Sequence, residues 1–259
     1  MQKRRWLWLA IWCWGAALPG VVRAETLTVA AASNLAAPLQ ELAAQFEQQE
    51  GVTVKVVTGA SGILAAQVAK RAPYDLFLAA DGAGPARLKR NGQCGEPFAY
   101  ATGELVLWVS QDLNPAIDWQ GAVRSHWGER IALANPATAP YGMAARDLLV
   151  KAGLWERLAS RLVYGQNVGQ AFQFAYQGSA ELALVALSSA LSDQGREGVY
   201  YSVPEASLLD QQGCVVRRSK NKKLAERFRQ FLLGEAGQAV LRKYGYEPPA
   251  PVNSGKTTR

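Results

Sequence analysis

Four short segments carry the residues best suited to hold a ligand: Ala-Ala-Ala-Ser33-Asn34, Thr-Gly-Ala-Ser61-Gly62, Asn135-Pro-Ala-Thr-Ala-Pro-Tyr141-Gly142 and Gly-Gln-Asn167-Val168-Gly169. Each follows a strand-like run and opens a helix-like one. None contains Lys, Arg, Asp or Glu. The first turn of a helix leaves backbone N–H groups without intrahelical partners, and the macrodipole makes that end positive. Such a terminus is a prepared anion site. Ser33 and Ser61 each add a hydroxyl, and Asp, a favoured cap that would repel an anion, is absent from all four starts. The chemistry these residues suit is capture of a dianion by neutral donors. Hydrogen bonds to charged groups are worth roughly 1.5–3 kcal/mol each, so five to seven give about 8–20 kcal/mol before ligand desolvation is subtracted. Micromolar to nanomolar binding needs about 8–12 kcal/mol net. Ser, Asn and Gly are also ordinary cap residues. Taken singly, each turn reads more readily as a plain cap than as a ligand site.

Other chemistry is poorly supported. The sole histidine, His126, sits in the polar stretch RSHWGER with no Ser, Cys or acid motif nearby. Asp75 and Asp81 flank a strand-like run and read as caps or hinge partners. A hydrolase would need a base for Ser33 or Ser61, and no His or buried acid stands out in the sequence for that role. A closure-driven sensor would need an output domain, and none is fused. No GxGxxG or P-loop spacing points to nucleotide binding.

The elements that position the four turns can be read from periodicity. TLTVAAAS, VTVKVVTG and PYDLFLAAD are strand-like. They alternate with LAAPLQELAAQFEQQEG, SGILAAQVAKR and GAGPARLKRNG, which are helix-like. In the first of these helices Leu35, Leu39, Leu42, Ala43 and Phe46 mark one face. This β-α-β-α-β-α order predicts a parallel sheet covered by helices. YATGELVLWVSQD then reads as one long strand able to run between two domains. A second α/β unit follows: GERIALANP, a helical region broken near Gly153, RLVYGQN, VGQAFQFAYQGSA, ELALVAL, SSALSDQG and GVYYSVP. CVVRRS reads as a last strand and NKKLAERFRQFLLGEAGQAVLRKYGY as terminal helices. With no Gly/Ser/Pro linker, the pattern predicts two lobes joined by continuous chain. Crossings are expected near Ala101–Glu104 and Tyr201–Leu208. Residues 25–103 plus 206–248 would form lobe 1, residues 104–205 lobe 2, and residues 249–259 a disordered tail.

The N-terminus sets the compartment. MQKRR is followed by the apolar WLWLAIWCWGAALPG and by VVRA, with Val22 and Ala24 at the small positions of a cleavage site. This is the layout of a secretory signal peptide over residues 1–24, and the run falls short of the roughly 20 residues a spanning helix needs. Lys3, Arg4, Arg5 and Arg23 leave with it, reducing the net charge from +7 to +3. That charge, without basic runs interleaved with aromatics, argues against a nucleic-acid partner. Cys13 leaves too. Cys94 and Cys214 remain, an even pair in an oxidising compartment, read as a disulfide with two buried thiols as the alternative.

The segment AETLTVAAASNLAAPLQELAAQFEQQEGVTVKVVTGASGILAAQVAKRAPYDLFLAAD resembles the start of the periplasmic molybdate-binding proteins. YATGELVLWV, IALANPATAPYGMAARDLL, NVGQAFQFAYQGSAELALVALS and RFRQFLLGEAGQAVLRKYGY follow in the family's order, so the resemblance spans nearly the whole mature chain. It implies an α/β, two-lobed type II periplasmic binding protein fold. Each lobe would be a mostly parallel sheet flanked by helices, with the ligand cleft between them. It also implies a non-enzymatic monomer that binds molybdate or tungstate in the periplasm and delivers it to an inner-membrane ABC permease. No cofactor is implied, and molybdenum would be held only as its oxyanion. By the same resemblance Ser33, Ser61, Tyr141 and the backbone of Val168 contact the oxyanion, with Asn34 adding a backbone or side-chain donor. One position departs from the pattern. Some members place a Tyr hydroxyl at the end of an LxxVY strand, where this chain has Ala186. Tyr141 would then supply the aromatic donor from the other loop. A sulfate, thiosulfate or phosphate receptor of the same fold is the alternative ligand class, with phosphate disfavoured by the uncharged turns.

Overall fold

The structure is a computed structural model that describes residues 25–110, 118–125 and 129–249. The signal segment 1–24, His126, Trp127 and tail residues 250–259 lie outside the described residues. Strand β1 (Thr26–Ala32) leads through a 3-10 turn (Ser33–Leu35) into helix α1 (Ala36–Glu50). Pro38, Leu39, Leu42, Ala43 and Phe46 form the buried face of α1, the i, i+3, i+4 spacing of an amphipathic helix. Next come β2 (Thr53–Gly59), α2 (Ser61–Ala69), β3 (Leu76–Ala79) and α3 (Ala83–Arg90). The run read as one long strand is two, β4 (Phe98–Gly103) and β5 (Leu105–Val109), parted at Glu104.

The second unit contains α4 (Trp119–Ser125), β6 (Ile131–Ala134), α5 (Pro140–Lys151), α6 (Trp155–Leu158), β7 (Leu162–Gly165), α7 (Val168–Tyr176), β8 (Leu182–Ala186), α8 (Leu187–Ala190) and β9 (Val199–Ser202). Gly153, with φ of 67°, separates α5 from α6. The chain then returns through β10 (Leu209–Val215) and ends in α9 (Lys222–Leu233) and α10 (Glu235–Lys243).

Two five-stranded sheets result, ordered β2-β1-β3-β10-β4 and β7-β6-β8-β5-β9. Each is mixed. β1 pairs in parallel with β2 and β3, whereas β10 runs antiparallel to β3 and β4. Likewise β6 pairs in parallel with β7 and β8, and β5 runs antiparallel to β8 and β9. The reason is connectivity. β5 and β10 are the strands that have just arrived from the other lobe, so they enter their sheets in the opposite sense to the βα units. A disulfide joins Cys94 to Cys214, with Cα atoms 5.8 Å apart. Among the described residues, no helix is long and apolar enough to cross a membrane.

Apolar side chains fill both faces of the first sheet and a separate core around the second. The second core reaches across the cleft to Ala32, the last residue of β1, and to Ala60 and Ala80, which directly follow β2 and β3.

Candidate anion site between the lobes

The four helix starts converge. Ala32, Ser33 and Asn34 meet Gly59, Ala60 and Ser61 from the first lobe, and Ala139, Pro140, Tyr141 and Val168 from the second. With Ala80 they line a small, partly open cleft pocket of about 10 Å3. Strand ends feed each turn, which is where open α/β sheets bind ligands. Ser33, Asn34, Ser61, Tyr141 and Val168 are all buried.

The caps differ from what the residue types suggest. Ser33 and Ser61 are not the N-caps of their turns. Those positions are Ala32 and Ala60, and Ala139 holds the same place at α5; none makes a side-chain cap bond. At α7 Asn167 does cap, accepting from Gln170 N–H at 3.0 Å. Three helix starts therefore lack the side-chain acceptor that usually satisfies a first-turn donor. Ser61, Tyr141 and Val168 are first-turn residues whose N–H groups have no intrahelical acceptor.

Both serine hydroxyls are oriented by a bond they accept. Ser33 Oγ takes the Gly169 N–H at 3.1 Å and Ser61 Oγ takes the Ala80 N–H at 3.0 Å. An oxygen that accepts keeps its own proton to donate. The Gly169 bond joins the lobes, as does the Gly62 N–H donated to Thr138 O at 3.0 Å. These partners, Gly169, Ala80 and Thr138, have no signature in sequence: Ala80 directly follows β3 in the same lobe, and Gly169 and Thr138 come from the opposite lobe.

Asn34 and Tyr141 are placed less simply. The Asn34 side-chain amide donates to Gln211 Oε1 at 2.9 Å and to Tyr246 Oη at 2.7 Å, behind the cavity. Both side-chain protons are thus used within the protein. The Tyr141 hydroxyl reaches toward Gly103, where an added Cβ would collide with it. Neither Gly103 nor Tyr246 lines the cavity. The hydroxyl is thus directed to Gly103, and the other donor of Tyr141 is its first-turn N–H. Tyr141 Oη and Asn34 Oδ1 are buried without a hydrogen-bond partner among the described residues. Tyr246 lies close enough to Tyr141 to influence its charge without an aligned hydrogen bond. Burial above all, then the neighbouring Tyr246, pushes the Tyr141 hydroxyl well above its ordinary value of 10.0. Burial likewise lifts Tyr246 to about 12. Both stay neutral at physiological pH.

Ala186 is buried at the end of β8, paired with Leu105. Two residues on, Ser188 Oγ donates to Asn34 O at 2.7 Å. The acids lie elsewhere. Asp75 is buried and accepts from Thr28 N–H and Ser219 Oγ, both at 2.7 Å. Asp81 accepts from Gly84 N–H at 3.2 Å at the start of α3. Neither lines the cavity, and neither does any Lys, Arg or Glu. Among the described residues, no three His, Cys, Asp or Glu side chains group as metal ligands. A larger cavity of about 750 Å3, lined by Arg71, Asp75 and Arg218, lies at the opposite end of the first sheet, away from the cleft.

The comparisons agree with this architecture. The molybdate-binding protein ModA of Azotobacter vinelandii is 36% identical over 230 residues, covering 86% of this chain and 90% of its own. ModA of Rhodobacter capsulatus is 34% identical over 237 residues, covering 90% and 91%. The solved structure of the Azotobacter vinelandii periplasmic molybdate-binding protein matches with a TM-score of 0.80 at 34% identity, over 86% of this chain and all of that one. The Mycobacterium tuberculosis sulfate-binding protein SubI, 18% identical with a TM-score of 0.72, shares the fold. The profile of the bacterial extracellular solute-binding proteins matches residues 27–247, and this chain belongs to that family.

Proposed function

We propose that this protein is a periplasmic receptor that closes on molybdate or tungstate and delivers it to an inner-membrane ABC permease. Residues 25–103 with 206–248 act as one lobe and residues 104–205 as the other. Ser33 and Ser61 donate hydroxyls to the oxyanion, and Asn34, Ser61, Tyr141 and Val168 donate backbone N–H groups. The observation that carries the reading is the convergence of three uncapped helix starts on one small, wholly uncharged cavity. Fixed N–H groups and positive helix ends supply the field that a dianion needs. An anion that keeps a proton near neutral pH would also need an acceptor, and no carboxylate lines the cavity. This favours molybdate, tungstate or sulfate over phosphate. The two ModA relatives, named for molybdate, favour the larger oxyanions.

The test is calorimetric titration and thermal unfolding of mature protein, freed of ligand by unfolding and refolding. Molybdate, tungstate, sulfate and phosphate are added separately. A ligand at 100 times its Kd stabilises by roughly 2.7 kcal/mol. Stabilisation by molybdate and tungstate alone is the expected result. Stabilisation by sulfate alone would move the ligand assignment, and none with any of the four would overturn the reading.

A further inference from the structure

Asn34 is gripped from the side away from the cavity. Its carbonyl oxygen accepts from Ser188 Oγ at 2.7 Å and from Tyr246 Oη at 3.1 Å. Its Nδ2 donates to Tyr246 Oη and Gln211 Oε1, and the Ser188 and Tyr246 hydroxyls lie 3.2 Å apart. All four residues are buried. Gln211 belongs to β10, in the same sheet as β1. Tyr246 follows α10, and the chain is fixed there by reciprocal Thr102–Glu247 backbone bonds of 2.8 and 3.0 Å. Both residues are thus on the lobe of Asn34. Ser188 is on the other lobe, in α8 directly after β8. The Ser188–Asn34 bond therefore spans the cleft, yet Ser188 and Tyr246 do not line the cavity.

Proton counting closes the ring. Ser188 gives its proton to Asn34 O. Tyr246 takes a proton from Asn34 Nδ2 and gives its own to Asn34 O or Ser188 Oγ. Opening the lobes removes Ser188 and admits water to the rest. We infer that Ser188 and Tyr246 form a latch on the Asn34 carbonyl that sets how long the closed lobes retain the bound anion, without touching it. This rests on the proposed anion site, because Ser33 and Asn34 share the turn that the latch holds. A bond present only in the closed state acts on release far more than on encounter.

The experiment follows radiolabelled molybdate leaving the preformed complex under an excess of unlabelled molybdate, with association measured separately by stopped flow. Ser188→Ala should release roughly three- to tenfold faster, the worth of one net hydrogen bond, with association changed less than about twofold. Tyr246→Phe should also speed release, and Ser188→Thr, which keeps the hydroxyl, should restore most of the retention. Equal release rates for Ser188→Ala and the unsubstituted protein would overturn the latch. So would a Ser188→Ala protein whose ligand-free unfolding midpoint falls while release is unchanged, since that is a structural role alone. If the unsubstituted protein binds no molybdate, the anion reading fails by itself. The latch is then read from small-angle scattering without ligand: a larger radius of gyration for Ser188→Ala supports it and an identical one refutes it.

Discussion

Ser61 uses both capacities of one hydroxyl. Its oxygen holds the Ala80 N–H and its proton is left for the cavity. Ser61→Ala should weaken oxyanion binding by about 1–3 kcal/mol, since it deletes a charge-assisted donor and strands a buried N–H. Ser33→Ala should do the same through Gly169, and isothermal titration of both variants checks it; unchanged affinity in both would exclude these serines as ligands. The buried tyrosines make a second prediction at this scale. An unfolded Tyr246 ionises near 10, whereas burial holds the folded one at about 12. Its contribution is complete below pH 10. Above that pH the unfolded chain loses its proton first, and roughly 2–3 kcal/mol drains away by pH 12. Urea unfolding between pH 9 and 12 should therefore show stability falling steeply above pH 10, and less steeply in Tyr246→Phe. The serines and their turns are readable in the chain. Tyr246 and Gln211 are not, because nothing local marks a Tyr after a terminal helix or a Gln in a strand as partners of Asn34.

Elements show where local rules held. Gly51 ends α1 in the left-handed region with φ of 66°, and open space surrounds its missing Cβ. After α2 the same job falls to Arg71, at φ of 70°. L-residues resist this conformation by about 1–2 kcal/mol, whereas Gly adopts it freely. Gly51→Ala should therefore cost about 1 kcal/mol, while Arg71→Gly should gain up to about 1 kcal/mol, as measured by denaturant midpoints. A loss on Arg71→Gly would mean that its guanidinium holds something more than the turn. The apolar period of α1 and the Gly153 break were legible because both are local. β10 was mostly missed. Its first five residues, Leu209-Asp210-Gln211-Gln212-Gly213, carry no strand-like alternation of apolar residues in sequence. It is a strand because β3 and β4 flank it, and its one fully buried polar side chain, Gln211, accepts from Asn34 Nδ2.

At the scale of the whole molecule, closure is the event that matters. An added Cβ at Gly62 would stand 2.9 Å from Thr138 O across the cleft. Gly62→Ala should hold the lobes apart and weaken ligand affinity at least tenfold, with little change in ligand-free stability, since the clash exists only when closed. Titration paired with thermal unfolding distinguishes this from general damage. The disulfide acts on the first lobe alone. It links residues 120 apart in sequence, from the loop after α3 to β10. Its loss should cost about 2–5 kcal/mol. Cys94→Ser/Cys214→Ser compared with the oxidised protein in urea measures this, and matching midpoints would mean the native thiols are unpaired.

The sequence alone determined the α/β class, the alternation of strand and helix, and the four uncharged turns. Each depends on residue type and short-range period. Tertiary structure decided what no window of the chain contains. It split the apolar run at Glu104 between two sheets and set β5 and β10 antiparallel within them. It also turned Ser33 and Ser61 from apparent caps into oriented donors behind Ala32 and Ala60. The reason is range. A helix start is specified by a few neighbours, whereas the partner of a hydroxyl is whichever group the closed lobes bring within about 3 Å, and for Ser33 that group lies 136 residues away.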